Sequence, residues 1–490
     1  MSLRQLAGQT AIYGISTIGV RLLNYLLVPY FTRIFTETEY GIYTDIYALI
    51  PFLLVLLTMG METGFFRFFN KAETEEEKKN VFRTILGAVS LAGTLFFVLL
   101  LLFIEPVAGW MQYGDNPSYV WLMGAIVWLD VLTAIPFAKL RAENRPMRFV
   151  TIRFVSVIVN LGLCFFFYLA LPKIEALSAL WNPHYGPGYA FVANLVQSFA
   201  ALLLLLPTMR DTTPKIDREL LKKVFVYSLP LLIAGIPGVA NEFIDRQLLK
   251  YILPPGENLV ELGEYGAVTK LAVIMVLFVQ MYRYGAEPFF LSNFKKDEFQ
   301  RSNAEAMKYF IVASILIFLG ITYFTDLFGL ILGKDFRGGL YILPIILLAN
   351  VFAGIVLNLS FWYKHSGLTK YAVIVTGAGL IVTVALNVIL IPKIGKLGAA
   401  WARLVCEIVM VVVSYLLCRK YFPIPYNLKR IGLYFAAGAA CYALGMLANE
   451  NLPRLLSAAI DIALLAGFSI FVVRTEKIDV KTMLRSIGRK

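Results

Sequence analysis

Charged residues are scarce in this 490-residue chain: Asp, Glu, Lys and Arg make up 16% of it, against about a quarter in a soluble domain. Histidine is nearly absent, and the two present, His184 and His365, fall on separate expected loops, which argues against a metal site. The four cysteines (Cys164, Cys406, Cys418 and Cys441) lie in or at the ends of apolar segments and show no CxxC spacing. Buried, reduced thiols are therefore expected, with no metal or redox use and no cofactor. Extramembrane chain is scarce too. The longest loop expected on the outer face, 172–186, holds one histidine and one glutamate, and no pair of carboxylates stands outside the apolar segments. That disfavours a membrane-embedded glycosyltransferase, polymerase or ligase, which needs a sizeable extramembrane site.

What the chain does contain is apolar sequence, 59% of all residues, with a mean hydropathy of +0.72. A bilayer core about 30 Å thick takes roughly 20 apolar residues per helix, and such stretches recur almost end to end. The reading is an all-α polytopic membrane protein of about 14 spans. They are 8–33, 42–65, 82–104, 118–139, 149–171, 187–209, 222–252, 264–290, 304–325, 339–363, 369–391, 397–418, 429–448 and 455–474. Strands are excluded by segment length and by the lack of ten-residue alternation. The first segment carries Arg21 and no small-residue cleavage site, so it is expected to remain as a membrane helix.

The net charge of +13 might point to nucleic acid, but its distribution does not. Of 45 Lys and Arg residues, 32 fall on the termini and the loops after even-numbered spans, and 8 on the opposite loops. Such a bias is the positive-inside pattern, which places both termini in the cytoplasm.

Shifted by 225 positions, the sequence matches itself. Between Arg21–Glu62 and Arg246–Glu287 nine of 42 positions are identical without a gap, among them Arg21/Arg246, Glu39/Glu264, Tyr40/Tyr265, Gly41/Gly266 and Glu62/Glu287. Two copies of a six-helix unit are expected, 1–211 and 212–421, followed by two further helices and a tail, 422–490. An even helix number returns the chain to the same side, so the copies run parallel and flank a central cavity, as in alternating-access transporters.

The chain resembles the polysaccharide-flippase branch of the multidrug/oligosaccharidyl-lipid/polysaccharide exporter superfamily. The residues that carry this are Val28-Pro-Tyr-Phe-Thr-Arg-Ile-Phe35, Glu39-Tyr-Gly41, Gly60-Met-Glu-Thr-Gly64, Phe328-Gly-Leu-Ile-Leu-Gly333, Asn387-Val-Ile-Leu-Ile-Pro-Lys-Ile-Gly395 and Gly398-Ala-Ala400. The resemblance implies export of an undecaprenyl-diphosphate-linked oligosaccharide for O-antigen, capsule or exopolysaccharide assembly. It implies as partners that lipid-linked cargo, membrane lipid and polysaccharide polymerase machinery, with no nucleic acid. A peptidoglycan-precursor flippase and a cation-coupled multidrug exporter of the same superfamily are the alternatives.

Four cations lie inside expected spans: Arg21, Arg246, Lys270 and Arg403. Each costs about 2.5–3.5 kcal/mol at mid-bilayer unless paired or hydrated. They are the candidates for binding a diphosphate, which suits arginine's planar donor fork. The alternative is internal pairing with Asp45, Asp130, Glu242, Asp245 or Glu407. Glu62 and Glu287, equivalent in the repeat, are candidates for gating between lobes, and Asp130 for ion coupling. Glu39 and Glu264 read as carboxylates complementing the amides at helix N-termini.

Overall fold

The computed structural model describes residues 18, 19, 22–210, 216–291 and 296–477, which carry helices and turns and no β-strand. The α-helices are α1 (Leu27–Ile34), α2 (Glu37–Thr58), α3 (Met61–Lys71), α4 (Glu75–Leu102), α5 (Ile104–Trp110) and α6 (Pro117–Ala142). They continue as α7 (Pro146–Phe165), α8 (Gly188–Met209), α9 (Arg218–Ala240), α10 (Ile244–Ile252), α11 (Asn258–Leu271) and α12 (Val273–Leu291). The last are α13 (Lys296–Tyr323), α14 (Thr325–Gly329), α15 (Leu343–His365), α16 (Lys370–Tyr421), α17 (Leu428–Asn451) and α18 (Arg454–Thr475).

Among the described residues 11 helices are long and apolar enough to cross a bilayer, or 12 if the pair α11–α12, bent by 51°, counts as one span. The expected number was about 14. Two causes account for the difference. Much of the expected first span, 8–33, lies outside the described residues. The 52-residue α16 counts once, yet it is about 78 Å long, more than twice a bilayer core. It is broken after Pro392 at Ile394 (φ −139°) and Gly395 (φ +53°), where the sequence expects the loop between 369–391 and 397–418.

Other expected spans are interrupted for local reasons. The 42–65 segment breaks between α2 and α3, where Met59 and Gly60 adopt left-handed backbone. The 222–252 segment forms one 35-residue span that breaks at 241–243, one turn after Pro237. Proline removes a backbone donor and is a usual cause of a helix kink.

The chain divides into two compact units, Met1–Ala267 with Thr383–Ala399, and Val268–Val382 with Ala400–Lys490. In the first, α6 lies centrally, packed by α2, α4 and α8, and its inner face (Val120, Ile126, Val127, Val131, Ile135) is fully buried. Helix α9 lies on α3 because Gly64 leaves room: a Cβ there would come within 2.9 Å of Val224 and would overlap the Ser228 hydroxyl. In the second unit α13 packs against α15, α17 and α18, over an aromatic core that includes Phe290, Phe299, Phe361 and Trp362. Helix α18 is tied back at its C-terminal end by Glu476, whose nearly buried carboxylate meets Lys308, Tyr434 and Arg430.

Candidate functional site

The two copies of the Glu-Tyr-Gly motif meet in the first unit. Thr36 caps α2, accepting from the Glu39 amide at 3.2 Å, while Glu39 accepts from the Thr36 amide at 2.8 Å. This reciprocal pair fixes where α2 starts. One turn later Gly41 lies against α11, so closely that a Cβ would overlap the Leu259 carbonyl. On α11, Gly263 faces the Glu37 carbonyl and Gly266, the repeat mate of Gly41, faces the Thr44 side chain with equally little room. Three glycines thus let α2 and α11 cross with backbone nearly in contact.

Directly beneath this crossing lies a buried charged cluster. Asp45 of α2 and Lys250 of α10 are 2.5 Å apart, and neither side chain has any exposure. Gln247 donates to Asp45 Oδ1 at 2.7 Å and Tyr113 donates to Oδ2 at 2.6 Å. The Tyr113 ring also covers the ammonium, 4.0 Å from its centroid. Asn258 extends the network by donating to the Lys250 carbonyl and to Gln112 Oε1, each at 2.9 Å. A buried ion pair persists only when neighbouring polar groups share its charge; here each carboxylate oxygen accepts a further donor and the Tyr113 ring faces the ammonium. Close by, Tyr265 donates to Asp245 at 2.5 Å. Asp45 was expected as a possible partner for a cation, but Lys250 went unrecognised because it stands near the end of its span. Its position in 222–252 was the available signal.

Two loops share a second device. Gly186 (φ +46°) sits against the Glu39 carboxylate, 2.6 Å from where its Cβ would be. Gly395 sits likewise against Glu261. There Lys396 is held 2.6 Å from both Glu261 and Glu264, and its amide donates to Glu261 at 2.7 Å. Glu264 thus does more than complement a helix end; with Glu261 it anchors the turn that breaks α16.

The candidate residues from the sequence are distributed as follows. Arg21 lies outside the described residues. Arg246 follows the break between α9 and α10; its guanidinium donates to the Glu242 carbonyl at 3.0 Å and forms no ion pair among the described residues. Lys270 is exposed at the end of α11, beside the 51° bend. Arg403 is half-buried on α16, one turn before Glu407. Arg246 belongs to the first unit, Lys270 and Arg403 to the second.

Glu62 pairs with Arg141 of α6. Its mate Glu287 pairs with Lys364 of α15 at 2.6 Å and with Arg283 at 3.3 Å. Each glutamate thus pairs with a cation on a later helix, Arg141 on α6 and Lys364 on α15. Asp130 accepts from Ser198 at 2.7 Å, linking α6 to α8.

Helical spans, broken at glycine and proline and stitched by buried polar networks, are the architecture of a multi-pass membrane protein. Solved structures with this fold include the lipid II flippase MurJ in an inward closed conformation (TM-score 0.75, 16% identity, 96% of this chain and 100% of that one). Another is a multidrug resistance MATE family transporter of the MOP superfamily in an inward-facing conformation (TM-score 0.61, 17% identity, 86% and 95% covered). The uncharacterized membrane protein YabM of Bacillus subtilis (strain 168) is 22% identical over 408 residues, covering 76% of this chain and 72% of its own. The polysaccharide biosynthesis protein family matches residues 6–290, more than half the chain, and the protein belongs to that family. Its fold is the one seen in these MurJ and MATE family structures.

Proposed function

We propose that this protein flips an undecaprenyl-diphosphate-linked oligosaccharide across the bacterial cytoplasmic membrane for surface polysaccharide assembly. Fourteen spans, both termini in the cytoplasm, and two parallel six-helix lobes (1–211 and 212–421) complete the reading. The observation that carries it is the Asp45–Lys250 pair within a chain of the polysaccharide biosynthesis family. The pair joins spans that the repeat assigns to different lobes, at the end that the charge bias assigns to the outside. Closing that end with a desolvated ion pair and three close-packed glycines leaves a structure whose cargo enters from the cytoplasm. Opening outward then requires Asp45 and Lys250 to separate into water, where each charge is hydrated.

Arg246 is the cavity cation that its surroundings best support. It follows a helix break, where broken transporter helices commonly place substrate contacts, and its donors are not consumed by an acid. Arg21, its repeat mate, and Lys270 and Arg403 complete the proposed cationic lining, and Asp130 stays the proposed ion-coupling carboxylate. Replacing Arg246 tests the assignment. Lysine keeps the charge without the bidentate fork and retains part of the surface polysaccharide; glutamate abolishes it at unchanged protein abundance. Normal export by a fully abundant Arg246→Glu protein would remove Arg246 from the substrate path.

Because lipid II shares the diphosphate carrier, the same geometry suits a peptidoglycan precursor, and the MurJ likeness gives that second reading its standing. Cells lacking the protein separate the two: failure of surface polysaccharide with intact cell-wall synthesis supports the first, and lysis supports the second.

A further inference from the structure

Helix α18 carries an acid that nothing above uses. Asp461 is 1% exposed. Its Oδ2 accepts from Asn449 of α17 at 3.1 Å, and its Oδ1 has no hydrogen-bond partner among the described residues. That oxygen is turned toward α17, where a Cβ on Gly445 would lie 2.8 Å from it and would also overlap the Tyr323 ring of α13. Tyr323 donates its own hydroxyl to the Cys441 carbonyl at 2.7 Å. Asp461 therefore sits where α13, α17 and α18 meet.

Among the described residues it forms no ion pair. The titratable side chain recorded beside it at Gly445 is Tyr323 of α13; Cys441 and Tyr442 lie one turn away on α17, and Glu450 at the end of α17 is exposed. Arg454, seven residues back on α18, is engaged with Asp326 of α14 at the surface. Toward the far end of α18, Glu476 pairs with Lys308 of α13 and Arg430 of α17, 15 residues or about 22 Å from Asp461. An isolated carboxylate in such a place has one neutral donor and no counter-charge, so the proton remains.

We propose that Asp461 is a proton-binding site that fastens the α17–α18 hairpin to α13. It is a neutral acid while the three helices are packed, and it releases its proton only when the hairpin separates from α13 and admits water. The ligand is a proton alone, and no covalent step is involved. The site does not depend on what the transporter carries.

Infrared difference spectra of the protein in nanodiscs test the first half. Wild type minus Asp461→Asn at neutral pH is expected to show the carbonyl stretch of one protonated carboxylic acid, shifted on exchange into heavy water. Its absence would mean that Asp461 is ionised and would overturn the proposal. Spin labels on Leu327 and Ile462, both exposed, test the second half. Raising the pH until the acid band disappears is expected to broaden and lengthen their distance distribution in wild type. The Asp461→Asn protein, which mimics the protonated acid, should keep the neutral-pH distribution throughout. An unchanged wild-type distribution after loss of the band would overturn the fastening role.

Discussion

Asp45 and Lys250, 205 positions apart, meet at 2.5 Å with both side chains shut off from solvent. Removing one partner leaves the other charge buried alone, which costs about 3–5 kcal/mol. Lys250→Ala and Asp45→Ala are thus each expected to lower the thermal midpoint or to shift the protein to an outward-open state. In the second case a cysteine at Gln247 gains reactivity toward an impermeant thiol reagent. The charge swap Asp45→Lys with Lys250→Asp should recover part of the loss. Additive effects in that double-mutant cycle would show that the pair is not coupled.

The glycines of the crossing give a contrast within one protein. A valine at Gly41 or Gly266 has to push α2 and α11 apart, and overpacking of this kind costs about 1–3 kcal/mol. Gly235 on α9 has open space around it, and alanine there should stabilise the helix by about 0.5–1 kcal/mol. Thermal midpoints of the three variants read this directly. Equal effects at Gly41 and Gly235 would remove the close crossing from the account.

Glu476, just past α18, supplies a pH dependence. Burial alone would favour its neutral form, but hydrogen bonds from Lys308 and Tyr434, with Arg430 nearby, overcome this and hold the carboxyl below its usual range. A depressed carboxyl adds stability above its unfolded value, about pH 4.3, and loses it as the pH falls through the folded one. Glu476→Gln is expected to destabilise by about 1–3 kcal/mol at neutral pH. The gap to wild type should close as the pH drops below about 4. A gap that persists there would assign the loss to packing rather than charge.

The spans were legible because each needs a long apolar run. Helix breaks were less so. Pro392 and Gly395 marked one correctly as a loop, whereas the left-handed Met59 carries no signature in its side chain. Pairing was the least legible. Lys250 reads as a residue near a span's end, and only the crossing at Gly41, Gly263 and Gly266 brings it to Asp45. The candidate acids Glu62 and Glu287 were recognised by repeat position, which carries no information on the cations that face them, Arg141 and Lys364.

Transport itself is tested most directly with the purified protein in vesicles that contain a fluorescent undecaprenyl-diphosphate oligosaccharide. Access of that lipid to a membrane-impermeant quencher or glycosidase reports its movement between leaflets. The account predicts that wild type accelerates this exchange well above protein-free vesicles, that Arg246→Glu does not, and that cationic dyes are not moved. No acceleration by the wild-type protein, with the lipid correctly inserted, would contradict the flippase reading.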